Sequence, residues 1–288
     1  MIAIYKRELK SYFQSMVGYA FIAFLMLFTG IYFAAYNLTS GIPYFAYALA
    51  STMFIFLIAI PVLTMKSFAE ERKSKTDQLL LTSPANVTEI VVGKYLAMVS
   101  VFAIPVLISC LYPLIIRAQG YSYIETDYCA ILLYFAIGCV YIAVGMFLSS
   151  LTESQIIAAV STFAALLVLY LWKGIISFVP AEAKYNMVGV LAIIFIIGYL
   201  VYAITKNWLI SGGLAGVGIA ASFIVYLVKR DAYESLLSNV LGKLDFATML
   251  TNIIDNKLFD VTNLILCVSI VFLFVFLTIQ IIQKRRWS

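Results

Sequence analysis

The chain has no histidine, and only 11% of its 288 residues are charged. Without an imidazole there is no Ser/His/Asp triad, no zinc site built on histidine and no imidazole proton relay. The four cysteines, Cys110, Cys129, Cys139 and Cys267, are scattered, with no CxxC pair and no secreted-domain spacing, so they read as small apolar packing residues. A GxxxxGK phosphate loop is missing too, since Gly93-Lys94 has Thr88 where the first glycine is needed. No catalytic residue, metal ligand or cofactor is therefore expected, and the chain is not expected to hydrolyse ATP itself. No Gly/Ser/Pro-rich linker divides it, which predicts a single transmembrane domain over residues 1–288.

What is abundant is apolar surface: 64% of residues are hydrophobic and the mean hydropathy is +1.03. A water-soluble fold could not hide so much. Apolar runs near twenty residues recur along the whole length, the length a helix needs to cross a bilayer. They predict an all-α, polytopic integral membrane bundle of about eight crossings, at roughly 16–36, 44–65, 91–116, 128–149, 155–178, 187–205, 209–228 and 263–283. The first has a longer apolar core than a typical signal peptide and no convincing cleavage site after it, so it is expected to be an uncleaved helix. The sixth and seventh are joined by a few residues around Lys206 and Asn207, which suits a tight hairpin of full spans or a pair of re-entrant helices. Full spans are the expectation.

The net charge of +5 would suggest nucleic acid in a soluble protein, but here the cations flank apolar runs and report orientation instead. Lys6, Arg7, Lys10, Lys66, Arg72, Lys73, Lys75, Lys94, Lys206, Lys284, Arg285 and Arg286 fall on one side of the eight-span arrangement, twelve of the 19 Lys and Arg. That side should be cytoplasmic, with both termini on it. Residues 1–15 place Ile2, Tyr5, Leu9, Tyr12 and Phe13 opposite Lys6, Arg7 and Lys10, the pattern of an interfacial helix. In the outer segment 229–262, Tyr233, Leu236, Leu237, Val240, Leu241 and Leu244 recur at helical spacing, and Phe246, Met249, Leu250, Ile253 and Ile254 repeat it. Two amphipathic helices resting on the outer membrane face are expected there, with a lid or docking element as the other reading.

Ionisable groups are absent from the span centres; Lys94, Glu153 and Lys173 fall toward predicted ends, where long side chains snorkel. Ion-coupled carriers generally need charge at membrane depth, so the energy for any transport should come from elsewhere. The most informative stretch is the loop 66–90 after the second span. Ser67 and Glu70 fit a capping box for a short polar helix held off the membrane, carrying Glu70, Glu71, Arg72 and Lys73. Ser83 and Pro84 suit the start of the next helix. On charge pattern alone a solvated loop that only sets topology fits as well. Pro61 and Pro105 suit either bends or plain packing. Gly138 and Gly145, like the Ile210-Ser211-Gly212-Gly213-Leu214 run, read as helix packing.

The run Ala69-Glu70-Glu71-Arg72-Lys73-Ser74, Thr76, Leu79-Leu80-Leu81, Ser83-Pro84, Glu89 and Gly93-Lys94 resembles the loop of ABC-2 type transporter permeases. The closest likeness is to the gliding-motility-type and nitrous-oxide-reductase-maturation-type branch. Tyr5-Lys6-Arg7-Glu8-Leu9 with Tyr12 and Phe13 resembles the family's interfacial helix, and Arg285-Arg286-Trp287 its usual ending. Lys75 departs from the pattern where glycine is common, and Asn252 does so before the last span. The resemblance implies a six-helix core with an extra hydrophobic pair, in a plasma or inner membrane. It also implies a pair of permeases, two copies or two related chains, each engaging a separate cytoplasmic ABC ATPase. The loop would be the coupling helix, with Glu70, Glu71, Arg72, Lys73 and Thr76 meeting the ATPase, and the second and fifth spans would line the path at the dimer interface. An ATP-independent carrier or channel, and a membrane scaffold that moves nothing, are the other readings of the bundle.

Overall fold

The computed structural model describes residues 1–76, 86–120, 123–178, 186–188, 191, 216, 241–243, 245–256 and 260–287, and among these there is no strand. The expected spans 187–205 and 209–228 lie almost wholly outside the described residues, as do Leu79-Leu80-Leu81, Ser83, Pro84 and the 210–214 run. In chain order the helices are α1 (Ile2–Gln14), α2 (Val17–Phe33), α3 (Ala46–Thr64), α4 (Ala69–Lys73), α5 (Val87–Ser109), α6 (Tyr112–Gln119), α7 (Ile124–Leu151), α8 (Gln155–Tyr170), α9 (Trp172–Ser177), α10 (Phe246–Asn256) and α11 (Val261–Trp287). A π-helical stretch, Ala34–Thr39, prolongs α2.

Among the described residues, five helical stretches are long and apolar enough to cross a membrane: Val17–Thr39, Ala46–Lys73, Val87–Gln119, Ile124–Leu151 and Val261–Arg285. The chain is thus a multi-pass membrane protein. The fifth expected span, 155–178, is interrupted, since α8 ends at Tyr170 and Leu171 is a turn residue. Its sixteen residues reach about 24 Å, short of the roughly 30 Å hydrocarbon core.

The contacts of the chain group into two units, residues 1–170 with 246–288, and residues 171–245. The described part of the second includes α9 and a hydrogen bond from the Trp172 indole to the Leu241 carbonyl at 2.8 Å. The first unit holds the membrane core, in which α3 and α7 are the most enclosed helices. Phe56, Phe102, Tyr134 and Tyr141 meet at its centre, with Phe56 4.7 Å from the Tyr134 ring and 5.5 Å from Phe102.

Close approach of helices in lipid depends on small residues, because no hydrophobic force pulls apolar helices together there. A Cβ on Gly138 would lie 2.2 Å from the Phe102 ring, and one on Gly145 would lie 2.5 Å from the Thr64 hydroxyl. These glycines are the packing positions the sequence marks. Pro61 and Pro105 stand inside α3 and α5, and both helices continue past them.

At the end of the bundle away from α4, Asp127 caps α3 from another element. Its carboxylate accepts the Phe45 N–H at 2.8 Å and the Ala46 N–H at 3.3 Å. A carboxylate here satisfies orphan donors and meets the positive pole of the helix.

α10 departs from the surface-resting helix expected of residues 246–254. Phe246, Met249, Leu250 and Ile253 are buried, and the helix packs on α3, α7 and α8. Phe246 meets the Tyr141 ring at 5.8 Å. Tyr141 lies about 26 Å along α7 from its start and about 15 Å from its end, so α10 begins at depth within the bundle. Its apolar stripe finds protein rather than lipid, the setting in which a helix that does not span is tolerated. The companion stripe from Tyr233 to Leu244 lies mostly outside the described residues.

Candidate functional site

One end of the first unit brings together charged side chains from α1, α4, α5 and α11. α7 and α11 run parallel, since Leu132 shares a groove with Leu264, Cys139 shares it with Cys267, and Phe147 meets Phe274 at 5.5 Å. Both therefore finish at this end, where Lys284 and Arg285 are exposed. α1 lies there against α5 and α4 lies against α7.

α4 is held by a reciprocal pair of caps. The capping box from Ser67 does not form; Phe68 is the N-cap, and Ser67 Oγ is buried without a partner. Instead the Phe68 and Ala69 N–H groups donate to Ser149 Oγ, each at 3.3 Å. Ser67 is still part of the turn leaving α3, its N–H bonded to the Thr64 carbonyl, so it stands one residue too early. In return, the Arg72 guanidinium donates to the carbonyls of Ser150 and Thr152, the latter at 3.3 Å. A cation on these carbonyls satisfies the negative end of α7.

The far end of α4 closes in a Schellman motif. Thr76 N–H donates to the Glu71 carbonyl at 2.9 Å and Lys75 N–H to the Arg72 carbonyl at 3.0 Å. That geometry needs a left-handed residue just past the cap, usually glycine. Lys75 occupies it at φ 57°. The turn forms here with lysine in the left-handed position.

Lys94 is the least expected feature. Rather than snorkelling, it is 1% exposed, with its ammonium 2.8 Å from Glu71 Oε1 and 3.1 Å from Glu8 Oε2. Arg7, 54% exposed, reaches the same carboxylates, Glu8 at 2.6 Å and Glu71 at 3.4 Å. Two cations and two carboxylates balance, the condition on which buried charge is stable. Nearby, Tyr12 donates to the Leu63 carbonyl at 3.2 Å. Burial, with Glu8, Glu71 and Glu70 adding to it, pushes its phenol far above the ordinary range, so it stays a neutral donor. A cavity of about 270 Å³ opens between α1 and the loop, lined by Arg7, Glu8, Ser11, Tyr12, Ser15, Lys66, Glu70, Glu71, Ser74, Thr76 and Lys94.

The five residues that the resemblance assigns to ATPase coupling therefore divide. Glu70, Lys73 and Thr76 are exposed, while Glu71 and Arg72 are half-buried and bonded within the chain. Sequence spacing puts all five on one charged run; only burial separates them. Arg7, Glu8, Lys94 and Ser149 complete the site without having been singled out for it. The signal for Lys94 was its place two turns into an apolar helix, where an unpaired ammonium would be costly.

The family model for ABC-2 family transporter proteins matches residues 2–207. The chain belongs to the ABC-2 transporter family. No curated protein and no solved structure matches it. The matched segment contains α1 to α9, with all of the charged site, and ends before α10 and α11. The chain is accordingly a membrane permease of an ABC transporter, and α4 is the short polar helix between α3 and α5.

Proposed function

We propose that this permease works as half of a dimeric exporter of the gliding-motility and nitrous-oxide-reductase-maturation branch, driven by a separate cytoplasmic ABC ATPase seated on the loop 66–90. The charged end of the bundle is then cytoplasmic, in a plasma or inner membrane, in line with the positive-inside pattern of Lys and Arg. The observation that carries this reading is the outward face of α4. Glu70 and Lys73 are presented to solvent, with Ser74, Lys75 and Thr76 beside them, on a helix anchored at both ends to α7. A short helix tied so firmly passes a push from a partner into the bundle with little loss, as rigid-body transitions require.

On this reading Glu70, Lys73 and Thr76 meet the ATPase, while Glu71 and Arg72 hold the coupling helix in place. A second permease copy fits the apolar stripe Phe54, Ile58 and Val62 on α3, a helix otherwise well enclosed. Phe54 meets Tyr170 at 5.7 Å, so α8 borders the same stripe, as expected of second and fifth spans lining a path at the dimer interface.

The test is co-purification of the permease with its ATPase and measurement of MgATP turnover in nanodiscs. The double variant Glu70→Lys/Lys73→Glu should insert normally, yet lose ATPase binding and permease-stimulated turnover. Unchanged stimulation by that variant rules out the coupling role of this face.

A further inference from the structure

We propose that Lys94 is a positioning residue that joins the interfacial helix α1 to the coupling helix α4, so that the two helices and the start of α5 move as one body. The geometry is independent of the permease reading; only its response to ATP rests on it.

A lysine two turns inside an apolar helix, 1% exposed, persists only where its ammonium has fixed partners. Here both partners come from other elements, Glu8 from α1 at 3.1 Å and Glu71 from α4 at 2.8 Å. The Phe68 ring, next to α4, covers the ammonium at 5.3 Å. One buried cation thus bridges three helices. Arg7 repeats the link from the water side, but at 54% exposure it is screened and weaker.

The surroundings suit a tight joint. Gly93 lets α1 lie close, since a Cβ there would sit 3.2 Å from Ile4. The Tyr5 and Ser100 hydroxyls bond at 2.9 Å across the same contact. If a partner displaced α4 alone, Glu71 would leave Lys94 and unbalance a buried charge. Dragging α1 and α5 along keeps the pair intact. Glu71, committed to this joint, is accordingly not free to bind a partner, whereas neighbouring Glu70 is.

The test uses the full-length permease in lipid nanodiscs, comparing wild type, Lys94→Arg, Lys94→Met, Glu71→Gln and Lys94→Met/Glu71→Gln by amide-hydrogen exchange over residues 2–14 and 69–73. Lys94→Met and Glu71→Gln should each speed exchange in both segments about tenfold, as expected for a lost charge-assisted bond. Lys94→Arg should stay near wild type. The double variant should fall well short of the product of the single effects, because it leaves fewer uncompensated charges. Changes confined to one segment, or effects that multiply independently, overturn the joint. A second arm adds the co-purified ATPase with MgATP and vanadate. Wild type and Lys94→Arg should show altered exchange in α1, while Lys94→Met still binds the ATPase but shows none. A response in α1 that persists in Lys94→Met overturns the proposal; no response in wild type overturns ATP coupling instead, and the first arm still decides the joint.

Discussion

Single residues at the charged end carry roles that their type alone would not assign. Lys75 supplies a left-handed residue where glycine has no steric cost. Lys75→Gly is expected to raise stability by about 0.5–1 kcal/mol, after allowing for glycine's greater freedom in the unfolded chain, and Lys75→Val to lower it by about 1 kcal/mol or more. Thermal unfolding in nanodiscs measures both. Ser149 belongs to α7 but caps α4 through the Phe68 and Ala69 N–H groups. Ser149→Ala should cost about 1 kcal/mol, seen as faster amide exchange over 68–73 and not as a change spread along α7. Glu70 and Glu71 are adjacent in sequence and the same in chemistry, yet one faces solvent and the other a buried ammonium. No pattern in the run Ala69–Ser74 distinguishes them, because the difference is made by Lys94 and Arg7, which are distant along the chain.

Among the elements, α2, α3, α7 and α11 were readable from length and hydropathy, with boundaries that agree within a few residues, whereas the expected fifth span breaks at Leu171. α10 was readable as amphipathic but not as buried. Apolar spacing reports that a stripe needs covering, and either lipid or protein can cover it. Helix contacts also depend on where small side chains meet large ones. Gly138→Leu should press on the Phe102 ring, which is stacked on Phe135 at 5.6 Å, and lower stability by about 1–3 kcal/mol or more. The yield of folded protein in detergent, with its thermal midpoint, tests this. Asp127→Ala should remove the α3 cap at the opposite end, at a cost of about 1–2 kcal/mol. The readout is faster amide exchange in the first turn of α3.

At the scale of the whole molecule, the exposed apolar stripe on α3 bears on assembly. In a background with its four native cysteines replaced, Ile58→Cys should form a disulfide-linked dimer in the membrane on mild oxidation. Leu273→Cys, exposed on α11, should not. Cross-linking at both positions, or at neither, counts against α3 as the face between permeases. The charged joint at α1, α4 and α5 and the stripe on α3 belong to the same unit. α3 leads directly into the turn before α4, so on the proposed function a push on α4 has a short covalent route to the face where two permeases would meet.

Composition, apolar run length and the flanking cations by themselves determined a multi-pass helical membrane protein. They did so because bilayer thickness and the cost of unpaired backbone impose the same demands on every chain. The run from Ala69 to Lys94 was enough to suggest the family. Tertiary structure alone decided which charges of that run are spent internally, which serine caps α4 and where α10 lies. Those outcomes depend on groups far apart in sequence, Lys94 with Glu8 and Glu71, Ser149 with Phe68 and Ala69, and Tyr141 with Phe246. Local patterning specifies what each segment must bury or pair, but the partner is supplied only when the chain folds.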